Sequence, residues 1–324
     1  MVGALPKRSI RTRVVFLSLA VALSGASAAA GSNVQVGLLS ETAAVSPGVP
    51  FHVGIRMQMR PGWHVYWVNP GDSGLPPKIT WTLPGGFSAG PIEWPVPECF
   101  QDEMLMSYGY AREVILPVEI TPPDTIHADS MTISGALEWL ECRDVCLPGS
   151  ASVRLSLPVS TEKTPPGPGA AALAAARAKL PGLPSRWSLS AEAGPRAIEL
   201  AFAPPSGLTP RSAYLFVDQP LVTEHAAPQG FGPTRGGYRL TLQPAANASG
   251  NLARLSGVLL VEGRGSKSPT AIRVDVPVGR GDPDPVSTPP NQREWPVVET
   301  VGVMAIAGLG LLLLKRRARR TSRT

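Results

Sequence analysis

The sequence predicts an all-β protein built from two β-sandwich units. Three observations point there. The 324 residues include 36 Pro and 33 Gly, well above ordinary usage, and Pro in such number breaks helices and marks turns. Hydrophobic residues make up 43%, enough to form packed cores rather than a disordered chain. Short runs of alternating apolar and polar residues recur between the Pro/Gly turns, the pattern of half-buried strands.

Residues 1–30 read as a secretory signal peptide. Lys7, Arg8, Arg11 and Arg13 precede an apolar run at 14–23, and small residues follow to Ala30. Ala26-Ser27-Ala28 and Ala28-Ala29-Ala30 are the cleavage candidates. An uncleaved anchor is the alternative, disfavoured because the apolar run is short for a bilayer.

Residues 33–160 form the first β unit, with strand-like runs at 33–39, 51–59, 79–82, 114–120, 131–140 and 151–159. In the second of these, Phe51, Val53, Ile55, Met57 and Met59 alternate with polar or small residues. Pro47-Gly48, Pro61-Gly62, Pro70-Gly71, Pro84-Gly85-Gly86 and Pro122-Pro123 punctuate the unit. Residues 161–186 change texture: Pro/Gly clusters flank an Ala-rich run, which reads as a linker. Residues 187–278 form the second β unit, with strands expected at 187–191, 197–202, 213–217, 238–243, 255–262 and 271–276. Residues 279–294 are a polar, Pro-containing stalk.

Residues 295–314 are long enough to cross a bilayer, with Trp295 placed as an interfacial anchor. The basic cluster at 315–324 then places the tail in the cytoplasm by the positive-inside rule. The expectation is a single-pass protein of the bacterial inner membrane with its body in the periplasm. The net charge of +6 belongs to these ends. Lys7, Arg8, Arg11, Arg13, Lys315, Arg316, Arg317, Arg319, Arg320 and Arg323 are terminal, and the body carries more acidic than basic residues. No basic stripe exists for a phosphate backbone, so no nucleic-acid partner is expected. No phosphate loop, dinucleotide fingerprint or HExxH motif occurs, so no cofactor is expected.

The three cysteines all fall in the first unit: Cys99, Cys142 and Cys146. In a straight strand, residues four apart lie about 13 Å from each other. A Cys142–Cys146 disulfide therefore requires residues 143–145 to form a turn. So short a loop stabilises little by unfolded-state entropy. A small brace, an exchangeable redox pair and a metal site all fit the spacing, and zinc lacks nearby histidines at finger spacing. Arg143 favours a thiolate, while Glu141 and Asp144 oppose it.

The stretch from Pro61 through Trp63-His64-Val65-Tyr66-Trp67-Val68-Asn69-Pro70-Gly71-Asp72-Ser73-Gly74 to Pro76 resembles the amino-terminal periplasmic domain of DsbD-type thiol:disulfide interchange proteins. It is most similar to the branch that includes ScsB. Trp94-Pro95-Val96-Pro97, Tyr108-Gly109-Tyr110 and Leu137-Glu138-Trp139-Leu140-Glu141-Cys142-Arg143-Asp144-Val145-Cys146-Leu147-Pro148 extend the likeness, and His225-Ala226-Ala227-Pro228-Gln229 carries it into the second unit. The resemblance implies immunoglobulin-like sandwiches and a protein-disulfide reductase or interchange role. Cys142 and Cys146 match the family's redox pair. Exchange runs through a mixed disulfide, with Cys146 favoured as the partner-facing sulfur.

The family's multi-helix and thioredoxin domains have no counterpart in the sequence. The implied partners are therefore a separate membrane thiol transporter, as electron donor, and periplasmic thiol or disulfide proteins. Cys99 is an accessory-thiol candidate beyond the usual pair. Phe100, Tyr108 and Tyr110 are candidates to shield the pair. The rival reading is a copper-tolerance or scaffolding ectodomain with a structural disulfide. Its Cu(I) candidates are Met57, Met59, Met104 and Met106, with His64 and Cys99 as further soft ligands. Alternate Met on a strand also serves as core filler.

Overall fold

Alternation turns the first half of the chain into strands. In the computed structural model, residues 32–281 are described apart from 103–104, 163 and 248–251, together with the backbone of two short strands beyond them. The expected signal peptide and basic tail lie outside the described residues. So does the expected membrane helix at 295–314, save for Val297–Glu299, which is a short strand. Among the described residues, no helix is long and apolar enough to cross a membrane.

The first unit runs through β1 (Ser27–Ala28), β2 (Val34–Ser40), β3 (Phe51–Met59), β4 (His64–Gly71), β5 (Lys78–Thr82), β6 (Ser88–Ile92), β7 (Glu98–Asp102), β8 (Leu105–Ala111), β9 (Glu113–Thr121), β10 (Ser130–Cys142) and β11 (Cys146–Pro158). One sheet has the order β2-β3-β9-β6. The other runs β1-β11-β10-β4-β8-β7 and ends on β19 (Val297–Glu299), with β5 also paired to β10. Val53, Ile55, Met57, Leu116 and Val118 from the first sheet share one apolar core with Val65, Trp67, Ile133, Leu137 and Val153 from the second. Each such side chain contributes about 1.5–3 kcal/mol when fully buried. Two sheets closing on one core make a β-sandwich.

The Ala-rich run forms α1 (Ala170–Arg177). The sequence suggests a loose linker here, but the segment is strapped down. Gly167 N donates to Glu41 O (2.8 Å), and Gly169 N donates to Ser40 O (3.1 Å). Leu173, fully buried, packs with Ala176 on Ile115. Gly54 leaves the space: a Cβ there would meet Leu173 Cδ2 at 2.8 Å. Further on, Gly182 N donates to Ala271 O (2.9 Å) and Arg273 N donates to Gly182 O (2.8 Å). The breakers end the helix, but packing on both units orders what lies around it.

The second unit holds β12 (Ser188–Ala193), β13 (Ile198–Ala203), β14 (Pro210–Val217), β15 (Gly230–Thr234), β16 (Gly237–Leu242), β17 (Arg254–Gly263) and β18 (Thr270–Arg280). They form one seven-stranded sheet, β14-β17-β18-β12-β13-β16-β15. Leu200, Leu240 and Leu242 from one half and Leu215, Leu255 and Val261 from the other share a single core. The sheet therefore wraps onto itself. Its Tyr214, Phe216 and Val258 join the core of the first unit instead. There Phe216 packs edge-on against Tyr108 (centroids 5.2 Å apart), and the Tyr108 and Tyr214 hydroxyls lie 2.8 Å apart.

Candidate redox site

The site sits at the tip of one long hairpin. β10 and β11 pair without interruption from Ser130 and Pro158 to Cys142 and Cys146. Arg143, Asp144 and Val145 make the turn beyond the last pair. The chain reversal brings the cysteine Cα atoms to 4.2 Å, and the two are joined as a disulfide. Trp139 lies across Gly149, its cross-strand partner, where a Cβ would sit 2.3 Å from the indole. The indole N–H donates to Glu141 Oε2 (3.0 Å).

Glu141 faces away from the sulfurs. Only 2% exposed, it accepts from Ser32 Oγ (2.8 Å), Asn33 N (2.8 Å) and Asn33 Nδ2 (2.9 Å). Burial pushes its carboxyl up, and these bonds outweigh that and hold it below the usual range. Asp144 pairs with Arg143 (2.8 Å), whose guanidinium lies 5.4 Å above the Trp63 ring. The charges flanking the pair in sequence are thus largely engaged elsewhere.

Around the disulfide, Cys142 is buried and Cys146 is exposed. β4 lies beside β10 with His64 opposite Cys142. Strand alternation puts His64 and Tyr66 on the cysteine face. Tyr66 Oη lies 3.2 Å from Cys146 Sγ. The His64 imidazole stacks on Phe100 (centroids 4.4 Å apart) and meets Tyr66 edge-on. Burial lowers the His64 pKa to about 4, so the ring is neutral at neutral pH. Val145 and Leu147, both exposed, flank the rim.

The other candidate residues divide by face. Phe100 shares the cysteine face, because it pairs with Ser107 on β8 while Tyr108 faces the opposite way. Tyr108 and Tyr110 point into the sandwich. Tyr108 meets Tyr214, and Tyr110 Oη donates to Pro95 O (2.7 Å). Neither covers the disulfide; alternation assigns them to the core. Cys99, paired with Tyr108, is also inward and 4% exposed. Burial pushes its thiol up to about 12, against a hydrogen bond with Tyr214. β7 lies three strands from β10, about 14 Å at ordinary strand spacing.

Met57 and Met59 are core residues, and Met106 is buried with them. Met104 lies outside the described residues. Among the described residues, no group of three His, Cys, Asp or Glu side chains is arranged to hold a metal. His64 is the neighbour that sequence reasoning did not place beside the pair, while Tyr66 stood among the aromatics that could shield it. The signal was the Pro61-Gly62 turn, after which a strand can pair with the cysteine hairpin.

Residues 35–158 match the family model described as thiol:disulfide interchange protein DsbD, N-terminal. Residues 35–158 are a DsbD N-terminal-type domain. The cysteine pair, His64, Tyr66 and Phe100 all fall inside it. The N-terminal periplasmic domain of ScsB from Proteus mirabilis has a similar fold. It is 19% identical, with a TM-score of 0.52 over 76% of this chain and 92% of that one. That span carries the likeness beyond the DsbD N-terminal-type domain into the second β unit. A protein of unknown function from Porphyromonas gingivalis W83 is 15% identical, covering 76% of this chain and 100% of that one, with a TM-score of 0.24. No curated protein matches the sequence.

Proposed function

We propose that this protein is a membrane-anchored periplasmic thiol–disulfide interchange module. The carrying observation is a disulfide at an exposed hairpin tip of a DsbD N-terminal-type domain, with Cys142 buried and Cys146 exposed. In its reduced form, the Cys146 thiolate attacks a partner disulfide. A Cys146–partner bond forms and one partner thiolate leaves. The Cys142 thiolate then attacks Cys146 Sγ, the internal disulfide closes, and the second partner thiolate leaves. Two electrons pass to the partner, and the two leaving thiolates take up the protons given by the cysteines.

Reduction back to the dithiol needs a membrane thiol transporter as donor. The basic–apolar–small run at 1–30 and the apolar stretch at 295–314 support export and anchoring. The burial of Met57 and Met59 leaves the copper reading without an accessible ligand pair at that strand.

Trapping tests the exchange reading. Cys142→Ser leaves Cys146 without its resolving thiol, so mixed disulfides with periplasmic partners accumulate and disappear on reduction. If neither Cys142→Ser nor Cys146→Ser captures a partner, and the native disulfide resists a membrane thiol transporter, the pair is a structural brace.

A further inference from the structure

The His225-Ala226-Ala227-Pro228-Gln229 stretch has no part in the exchange chemistry described above. It lies between β14 and β15 of the second unit. Gln229 spans one strand residue: Leu215 N donates to its Oε1 (2.8 Å), and its Nε2 donates to Leu215 O (2.9 Å). His225, 8% exposed, reaches out of its own unit. Its Nδ1 lies 2.9 Å from Asp72 Oδ1, and its Nε2 lies 3.3 Å from Asn69 Nδ2.

The carboxylate fixes the role of Nδ1. A carboxylate oxygen only accepts, so His225 Nδ1–H donates to Asp72 Oδ1. Asn69 Nδ2 donates to Val217 O (2.8 Å) and Gln219 O (3.2 Å), and Asn69 Oδ1 accepts from Gly71 N (3.2 Å).

Asp72 carries this constraint into the first unit. Met106 N donates to its Oδ2 (2.8 Å), and its own N donates to Met106 O (2.9 Å). The neighbouring Ser73 Oγ lies 2.9 Å from Ser107 Oγ, and its side chain eases the ionisation of Tyr66 against the opposing effect of burial. Gly74, at φ +98, lies against the Tyr66 ring, where a Cβ would be 2.2 Å from Cζ. Only glycine adopts that conformation in so little space. The ring it covers carries the hydroxyl that touches Cys146 Sγ.

We propose that His225 is a positioning residue for the redox pair: from the second unit it fixes Asp72, and through residues 72–74 it holds the Tyr66 hydroxyl on Cys146 Sγ. The proposal rests on the exchange reading above and deepens it. In the dithiol state, Tyr66 O–H donates to the Cys146 thiolate, and a hydrogen bond to the charged form favours that form. The second unit thereby tunes the attacking sulfur without touching it.

The test is the pH profile of Cys146 alkylation by iodoacetamide. It uses the reduced full-length chain carrying Cys142→Ser, in which the buried Cys99 stays silent. His225→Ala should slow alkylation at pH 7 about fivefold, the worth of one net hydrogen bond, and move the profile to higher pH. His225→Asn, which keeps a donor near the Nδ1 position, should restore it. Tyr66→Phe should slow the reaction equally, and His225→Ala should add nothing in that background.

An unshifted profile with lowered thermal stability would reduce His225 to a structural contact and overturn the proposal. Additive effects of the two substitutions would do the same. If His225→Ala fails to fold, Ser73→Ala carries the same expectation. Partner capture with an unshifted profile overturns only the role of His225. A shifted profile without partner capture overturns only the exchange reading.

Discussion

The His64 imidazole lies face to face with the Phe100 ring, the planes 15° apart and the centroids separated by 4.4 Å. It also stands opposite Cys142 across the β4–β10 pairing. A titratable ring is thus kept dry beside the buried sulfur. Stacking against Phe100 is what a histidine in water would lack.

This placement makes stability depend on pH. The folded-state pKa of His64 is about 4, below the ordinary 6.5 of an exposed imidazole. Between those values the unfolded chain binds the proton and the folded chain does not. Stability from this group is therefore full above pH 6.5 and lost as pH falls toward 4. The ceiling is on the order of 3 kcal/mol. Urea denaturation across this window should show a smaller loss for His64→Phe than for the wild type.

Phe100→Ala should rehydrate the imidazole. The expected result is a His64 midpoint moved from about 4 upward toward the usual value, read by NMR titration. An unchanged midpoint would mean that the strands alone, rather than the phenyl ring, keep water out.

Gly149→Ala should strain the hairpin. The added Cβ would fall 2.3 Å from the Trp139 indole, so the ring must leave the strand surface and give up its bond to Glu141. Overpacking of this kind costs about 1–3 kcal/mol. A lower thermal midpoint should therefore accompany normal expression.

Cys99 should remain unlabelled in the native protein. After reduction, a thiol reagent should label Cys146, exposed at the hairpin tip, while Cys99 reacts only in denaturant. Mass spectrometry reads the count. Cys99→Ala should leave partner capture intact, because its thiol is inward and held above the usual range.

Leu173→Ala should loosen the strap between the units. Leu173 is fully buried on Ile115, and truncation of such a residue costs about 2–5 kcal/mol. Hydrogen exchange should then rise across α1 while the β10–β11 amides stay protected.

The strands legible in the sequence were those whose residue types alternate. β3 alternates cleanly and runs over the expected 51–59. β10 and β11 extend past their expected ends to the cysteines, because hairpin pairing carries Glu141-Cys142 and Cys146-Leu147 along. β4 was not legible: His64, Val65, Tyr66 and Trp67 are all buried, so no alternation marks it. β8 hides for the same reason, with Met106 through Tyr110 all buried. Within the site, the cysteine pair was legible from spacing and resemblance. The division between Phe100 on one face and Tyr108 and Tyr110 on the other depends on register, which composition does not encode. The His225–Asp72 contact joins residues far apart in the chain and left only the unexplained motif as a trace.

The unbroken β10–β11 ladder bears on what a partner can sense. Backbone hydrogen bonds already hold the two cysteines opposite each other at its last rung, so opening the S–S bond removes a cross-link that the hairpin does not need. On the proposed exchange role, a partner at this tip would meet the same strand pairing whether the S–S bond is closed or open, and its release would follow from the sulfur chemistry rather than from a change in the hairpin backbone.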